Sequence, residues 1–119
     1  MAGQIEARLK ELGVELPKAA TPAANYVPYV ISGNQIWVSG QVPVWNGELK
    51  FIGKVGGDID VDEAVLAART CGLNIMAQAK AALGDLDRVT QIVKLVGFVN
   101  GAPGFTNQPT VINGASDLM

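Results

Sequence analysis

The sequence contains no histidine and a single cysteine, Cys71, in 119 residues. Without imidazole it lacks the usual general base near neutral pH and the commonest protein metal ligand. A lone thiol closes no internal disulfide and builds no thiolate metal cluster. Zinc enzymes, Ser-His-Asp hydrolases and papain-like proteases are thereby excluded, and no metal or cofactor is expected. Charge is scarce too. Only 17% of residues are charged, and nine Lys/Arg against eleven Asp/Glu leave a net charge of -2. There is no basic block to track a phosphate backbone, so nucleic acid is disfavoured as a partner. No apolar run reaches the roughly 18 residues of a membrane span, and residues 1–10 read as a polar helix, not a signal peptide. No membrane association and a cytoplasmic location are expected.

Apolar residues, by contrast, make up 49% of the chain. A disordered tail does not have that composition. The length suits one domain, residues 1–119, with residues 1–24 forming a short helix and its connector. Ile5, Leu9 and Leu12 recur at helical spacing, with Glu6 and Lys10 placed as an i,i+4 pair. Gly13 and Pro17 stop that helix, and the Ala- and Pro-containing stretch 17–24 connects onward.

From residue 26 the pattern becomes β-branched and aromatic. Two runs, 26–31 and 35–39, flank Ser32-Gly33-Asn34 and predict a hairpin, with Pro28 placing its first strand at an edge or bulge. Asn46-Gly47 predicts a second hairpin with arms 42–45 and 48–52. The long helix starts at Asp60, with Glu63 set to complete a reciprocal cap, and runs to Leu83 before Gly84. Its small residues Ala64, Ala67, Ala68, Cys71, Ile75, Ala79 and Ala82 form a seam that is expected to face a sheet. Residues 89–99 read as a long strand, apolar on nearly both faces. A last helix opens near Asn107-Gln108-Pro109, Pro109 suiting its first turn.

These residues resemble a known family. Ala24-Asn25-Tyr26-Val27-Pro28-Tyr29, Ser32-Gly33-Asn34 and above all Val38-Ser39-Gly40-Gln41-Val42-Pro43 are similar to the Rid family, also called YjgF-like or L-PSP endoribonuclease-like. Pro103-Gly104-Phe105-Thr106-Asn107-Gln108-Pro109 and the stretch 111–118 extend the resemblance to residues 5–119. It implies an α+β, chorismate-mutase-like fold: a mixed β-sheet with helices packed on one face, plus the short N-terminal helix. It also implies a homotrimer with clefts between subunits, and hydrolysis of enamines and imines such as 2-aminoacrylate to a keto acid and ammonia. Ribonuclease activity is attributed to some members. The family's final strands, carrying an Arg for the substrate carboxylate and a Glu near the attacking water, have no counterpart in this sequence. A chain cut short before those strands is therefore expected, and its catalytic residues are unknown.

The positions matching the family's cleft are Tyr26, Ser39, Gly40 and Asn113, as substrate-binding residues. Tyr26 would close over the substrate, Ser39 offer its hydroxyl and Gly40 its backbone, while Asn113 would line the cleft near a subunit boundary. Each also has a plainer reading: a strand aromatic, a bulge at Ser39-Gly40, and the polar face of a helix. Arg69 and Arg88 are poor carboxylate anchors, on a helix flank and just past its end, where a cation complements the helix dipole. Cys71 reads as a buried, inert thiol. The acidic group Asp58, Asp60, Asp62 and Glu63 lacks the calcium-loop pattern and reads as capping. Three functions remain in view. They are an enamine/imine deaminase, a non-catalytic homotrimer binding small carboxylates such as keto acids, and, disfavoured by charge and the missing histidine, an endoribonuclease.

Overall fold

The computed structural model describes residues 3–119. Helix α1 spans Gln4–Glu11 and buries only Leu9, which packs with Ala79 and Leu86. Ile5 and Leu12 stay exposed, so the apolar stripe inferred from their spacing is one residue wide at the core. Nor does Glu6 pair with Lys10. Its carboxylate instead meets Lys80 Nζ at 3.1 Å, because α1 lies beside the end of the long helix.

Strand β1, Tyr29–Ser32, pairs antiparallel with β2, Gln35–Val38, in the register Tyr29↔Val38 to Ser32↔Gln35. Pro28 sits just before the ladder, where its missing N–H costs nothing. A second hairpin pairs β3, Val44–Trp45, with β4, Glu48–Leu49. Asn46 and Gly47 both take positive φ, 50° and 88°, which suits the right-handed twist of the arms. The arms are shorter than the sequence suggests. Lys50 N still donates to Pro43 O at 2.8 Å, but Phe51 at φ 56° turns the chain and leaves Ile52 exposed. Beyond it, Val55 bridges in parallel to Ile59 and to Gly101, so antiparallel and parallel pairings coexist.

Helix α2 spans Val61–Leu83. Asp60 caps it by accepting from Glu63 N at 2.8 Å, a contact worth about 1 kcal/mol. Gly84 closes it, donating its N–H to Lys80 O. A short 3-10 turn at Leu86–Arg88 follows. Helix α3 spans Gln108–Ser116, with Asn107 before it and Pro109 in its first turn. The architecture is α+β, as the family resemblance implies, and α2 touches β1, β2 and β3.

Part of the small-residue seam has a different partner from the one expected. Ala64 and Ala68 bury in one cluster with Val111 and Ala115 of α3, and Gly72 abuts Ala115 and Leu118. Ala79 faces α1. Small side chains allow close approach of any neighbour, and for Ala64, Ala68 and Ala79 the close neighbours include helices. Gly114 shows how close: a Cβ there would run into the Val65 carbonyl.

Residues 89–99 also depart from expectation. No ladder forms along them; backbone pairing begins only beyond them, where Asn100 O accepts from Val55 N at 2.9 Å, and a strand exists only by pairing. A period-two pattern is present over 95–99, whereas Val93, in the same phase, is 75% exposed. Leu95 and Val99 pack on the core and Gly97 abuts Ile112, whereas Val96 and Phe98 point outward, Phe98 being 94% exposed.

Gly114→Ala is expected to lower stability by about 1–3 kcal/mol through overpacking. The urea midpoint should fall with little change in slope; an unchanged midpoint would contradict the close helix contact.

Candidate functional site

The connector 17–24 is held down at two points. Lys18 N donates to Asn46 Oδ1 at 2.8 Å, and Gln78 Nε2 donates to Ala20 O at 2.7 Å. So pinned, the connector faces the link between β2 and β3 across a cleft of about 360 Å³. Tyr26, Ser39 and Gly40 all line this cleft. Three of the four positions singled out from sequence therefore share one concavity.

Each contributes differently. Tyr26 is 46% exposed, its ring at the cleft wall and its phenol the one titratable side chain in the lining. Ser39 is half-buried, and both its N–H and its Oγ donate to Pro28 O at 3.0 Å. Its hydroxyl proton is thus committed, which changes the role inferred from sequence. Ser39 can accept a hydrogen bond from a ligand or water through its lone pairs, not donate one. Gln41 Nε2 fixes the same turn by donating to Ser39 O at 3.1 Å. Gly40 is exposed, and a Cβ added there would meet no atom within 4 Å. The chain itself does not need the space that glycine leaves.

Asn113 lies elsewhere, on an exposed face of α3 outside the cleft lining, with Oδ1 accepting from Ser116 Oγ at 3.3 Å. Arg88 donates to Leu83 O at 3.1 Å, complementing the carbonyl end of α2, and Arg69 lies on the α2 flank. Neither lines the cleft.

Two residues that carry the site were not singled out from sequence: Asn74 and Gln78, 1% and 2% exposed. Asn74 Nδ2 donates to Val44 O at 2.6 Å and to Thr70 O at 3.0 Å. The available signal was two carboxamides four residues apart within an otherwise apolar helix face, since buried amides need named partners.

The carboxylates of Glu6, Asp85 and Asp87 converge closely enough to suggest a cation site. Hydrogen bonds account for most of their oxygens, Glu6 Oε2 being buried without a partner. Asp87 accepts from Ile5 N at 2.7 Å and Gln4 N at 2.9 Å, which hold its carboxyl below the ordinary range. Glu6 Oε1 accepts from Leu86 N and from Lys80, which lower its pKa likewise. Asp85 Oδ1 accepts from Asp87 N. These acids cap α1 and the turn after α2. At the other acidic cluster, Asp60 caps α2 through Glu63 N, while Asp58 accepts from Lys54 N and so holds the preceding loop rather than the helix.

Comparison with known proteins gives consistent matches. A family model described as "YjgF/chorismate mutase-like, putative endoribonuclease" matches residues 6–119. The Trypanosoma cruzi protein named TCP17 is 51% identical over 118 residues, covering 99% of this chain and 74% of that protein. The crystal structure of a "putative endoribonuclease" from Shewanella oneidensis MR-1 superposes with a TM-score of 0.91 at 42% identity, covering 95% of this chain and 75% of the other. A crystal structure of a protein with unknown function from Agrobacterium tumefaciens superposes with a TM-score of 0.88 at 52% identity, covering 98% and 72%. The chain thus spans about three quarters of the length of these relatives.

Cys71 is half-buried, and burial pushes its thiol up to about 11. Iodoacetamide at pH 8 should alkylate it roughly 100-fold more slowly in the folded protein than in denatured chain, since only thiolate reacts. Equal rates would show that the thiol is not sheltered on α2.

Proposed function

The chain belongs to the YjgF/chorismate mutase-like family, and from that membership we propose that its cleft binds a small carboxylate-bearing enamine or imine and hydrolyses it. The observation that carries the proposal is the meeting of Tyr26, Ser39 and Gly40 in one small, neutral cleft. A three-carbon acid fits a volume of about 360 Å³ with room for a water. With 2-aminoacrylate, the enamine tautomerises to the imine and water adds to the C=N carbon. A proton then passes to nitrogen, the C–N bond breaks, and pyruvate and ammonia leave. Ser39 Oγ, as an acceptor, can orient the water or the substrate N–H. The Tyr26 phenol can exchange a proton with the leaving nitrogen. Absence of a side chain at Gly40 lets the substrate approach the backbone.

The cleft lining contains no Lys or Arg. In this reading the carboxylate is held by backbone N–H groups or by a group from a neighbouring subunit. Three copies around a common axis would supply such a group, and the exposed Val30 and Trp37, opposite each other in the first hairpin, support assembly on that face. The same neutral lining favours a second reading, a trimer that binds small keto acids without turning anything over. It gives no support to RNA cleavage, which needs cationic contacts to phosphate.

Pyruvate formation from 2-aminoacrylate generated in situ tests the first reading. In a protein that also carries the family's Arg- and Glu-bearing strands a rate above buffer is expected; none above buffer there, with pyruvate still bound, leaves the binding reading. Gly40→Ala should retain the fold and its melting temperature, yet cut turnover or pyruvate affinity roughly tenfold by misplacing the ligand. Undiminished function in that variant would move the site away from this cleft.

A further inference from the structure

We propose that Asn74 and Gln78 are positioning residues that fix the separation of the cleft's two walls, and so its affinity for a small carboxylate. The inference rests on the functional reading of the cleft given above.

Both side chains are carboxamides, one helical turn apart on α2, and both are buried at 1% and 2% exposure. Each donates to a backbone carbonyl on a different wall. Asn74 Nδ2 reaches Val44 O at 2.6 Å, on the β3 side. Gln78 Nε2 reaches Ala20 O at 2.7 Å, on the connector side. Ala20 and Val44 both line the cleft. Four residues of helix rise about 6 Å, so the two anchor points are held at a fixed spacing by the stiffest element in the chain.

The chemistry of Asn74 fits a role beyond packing. Its Oδ1 is buried without a hydrogen-bond partner, an arrangement that works against stability. What the side chain supplies is its donor, oriented by a second bond to Thr70 O at 3.0 Å. A third link, Lys18 N to Asn46 Oδ1, ties the connector to the tip of the second hairpin and closes the frame from outside. The connector carries Ala20, Thr21, Pro22 and Ala23 of the lining. Few other polar contacts hold it.

The test uses the 119-residue chain and three variants. Gln78→Met keeps side-chain length and removes the donor. Asn74→Leu does the same at the other wall. Asn46→Gly keeps the positive φ of the turn and releases Lys18 without disturbing the core. Two readouts are made: the 15N heteronuclear NOE at Ala19, Ala20, Thr21 and Ala23, and the Kd for pyruvate from titration of the Ser39 and Gly40 amides.

In Gln78→Met the NOE values should fall and Kd rise roughly fivefold or more, the scale of one hydrogen bond. Asn74→Leu should raise Kd similarly without loosening the connector, and Asn46→Gly should show a weaker version of the Gln78 effect. A purely structural role would lower the melting temperature and leave Kd unmoved. An unchanged Kd in the variants that fold, or a connector as rigid as the wild type's in Gln78→Met, overturns the proposal. If Gln78→Met does not fold, Asn46→Gly decides by the same two readouts. If wild-type protein binds no pyruvate, the functional reading fails, and the NOE response alone decides whether Gln78 positions the wall.

Discussion

The close approach of α2 and α3 is the constraint on which the remaining structure depends. Ala64, Ala68 and Gly72 on one helix meet Val111, Gly114 and Ala115 on the other, and no side chain separates Gly114 from the Val65 carbonyl. Dispersion acts over short distances, so backbones this near gain attraction that longer side chains would have to supply by filling a gap. The arrangement also aims α2. With one face committed to α3, its neighbouring faces are left for α1 and the hairpins, and the buried amides fall on the hairpin side. Val55, Ile59, Leu95 and Val99 complete the same cluster.

Much of this was legible in local chemistry. Asp60 and Gly84 mark the ends of α2, Asn46-Gly47 marks its turn, and Pro109 marks the start of α3, because each answers a backbone requirement that no other part of the chain need satisfy. What could not be read is which partner each face meets. A seam of alanines announces close packing without saying whether a sheet or a helix lies opposite. The apolar alternation in 89–99 announces an extended segment without guaranteeing a neighbour for its N–H groups. Glu6 illustrates the same limit for charge: Lys10 is near in sequence, but Lys80 is nearer in space.

The candidate site divides along the same line. Tyr26, Ser39 and Gly40 lie within 14 residues of one another around one hairpin, so local structure suffices to bring them together. Asn113 depends on where α3 points, and within one chain it points away. The hydroxyl of Ser39 shows why a residue type is not yet a role: a carbonyl two strands' ends away, Pro28 O, has already claimed its proton. Asn74 and Gln78 match no motif; only their i,i+4 spacing on an apolar helix face signals them, and it does not name the carbonyls they reach.

The anchoring of α1 has a consequence for the order of events during synthesis. The amides of Gly3, Gln4 and Ile5 find their acceptors in Asp85 and Asp87, 82 or 83 positions later in the chain. On a ribosome adding 5–20 residues per second, the first helix waits roughly 4–16 s before its cap has even been made. Over that interval α1 is a detached amphipathic segment with Leu9 uncovered. This helix is therefore made well before the acceptors on which it docks.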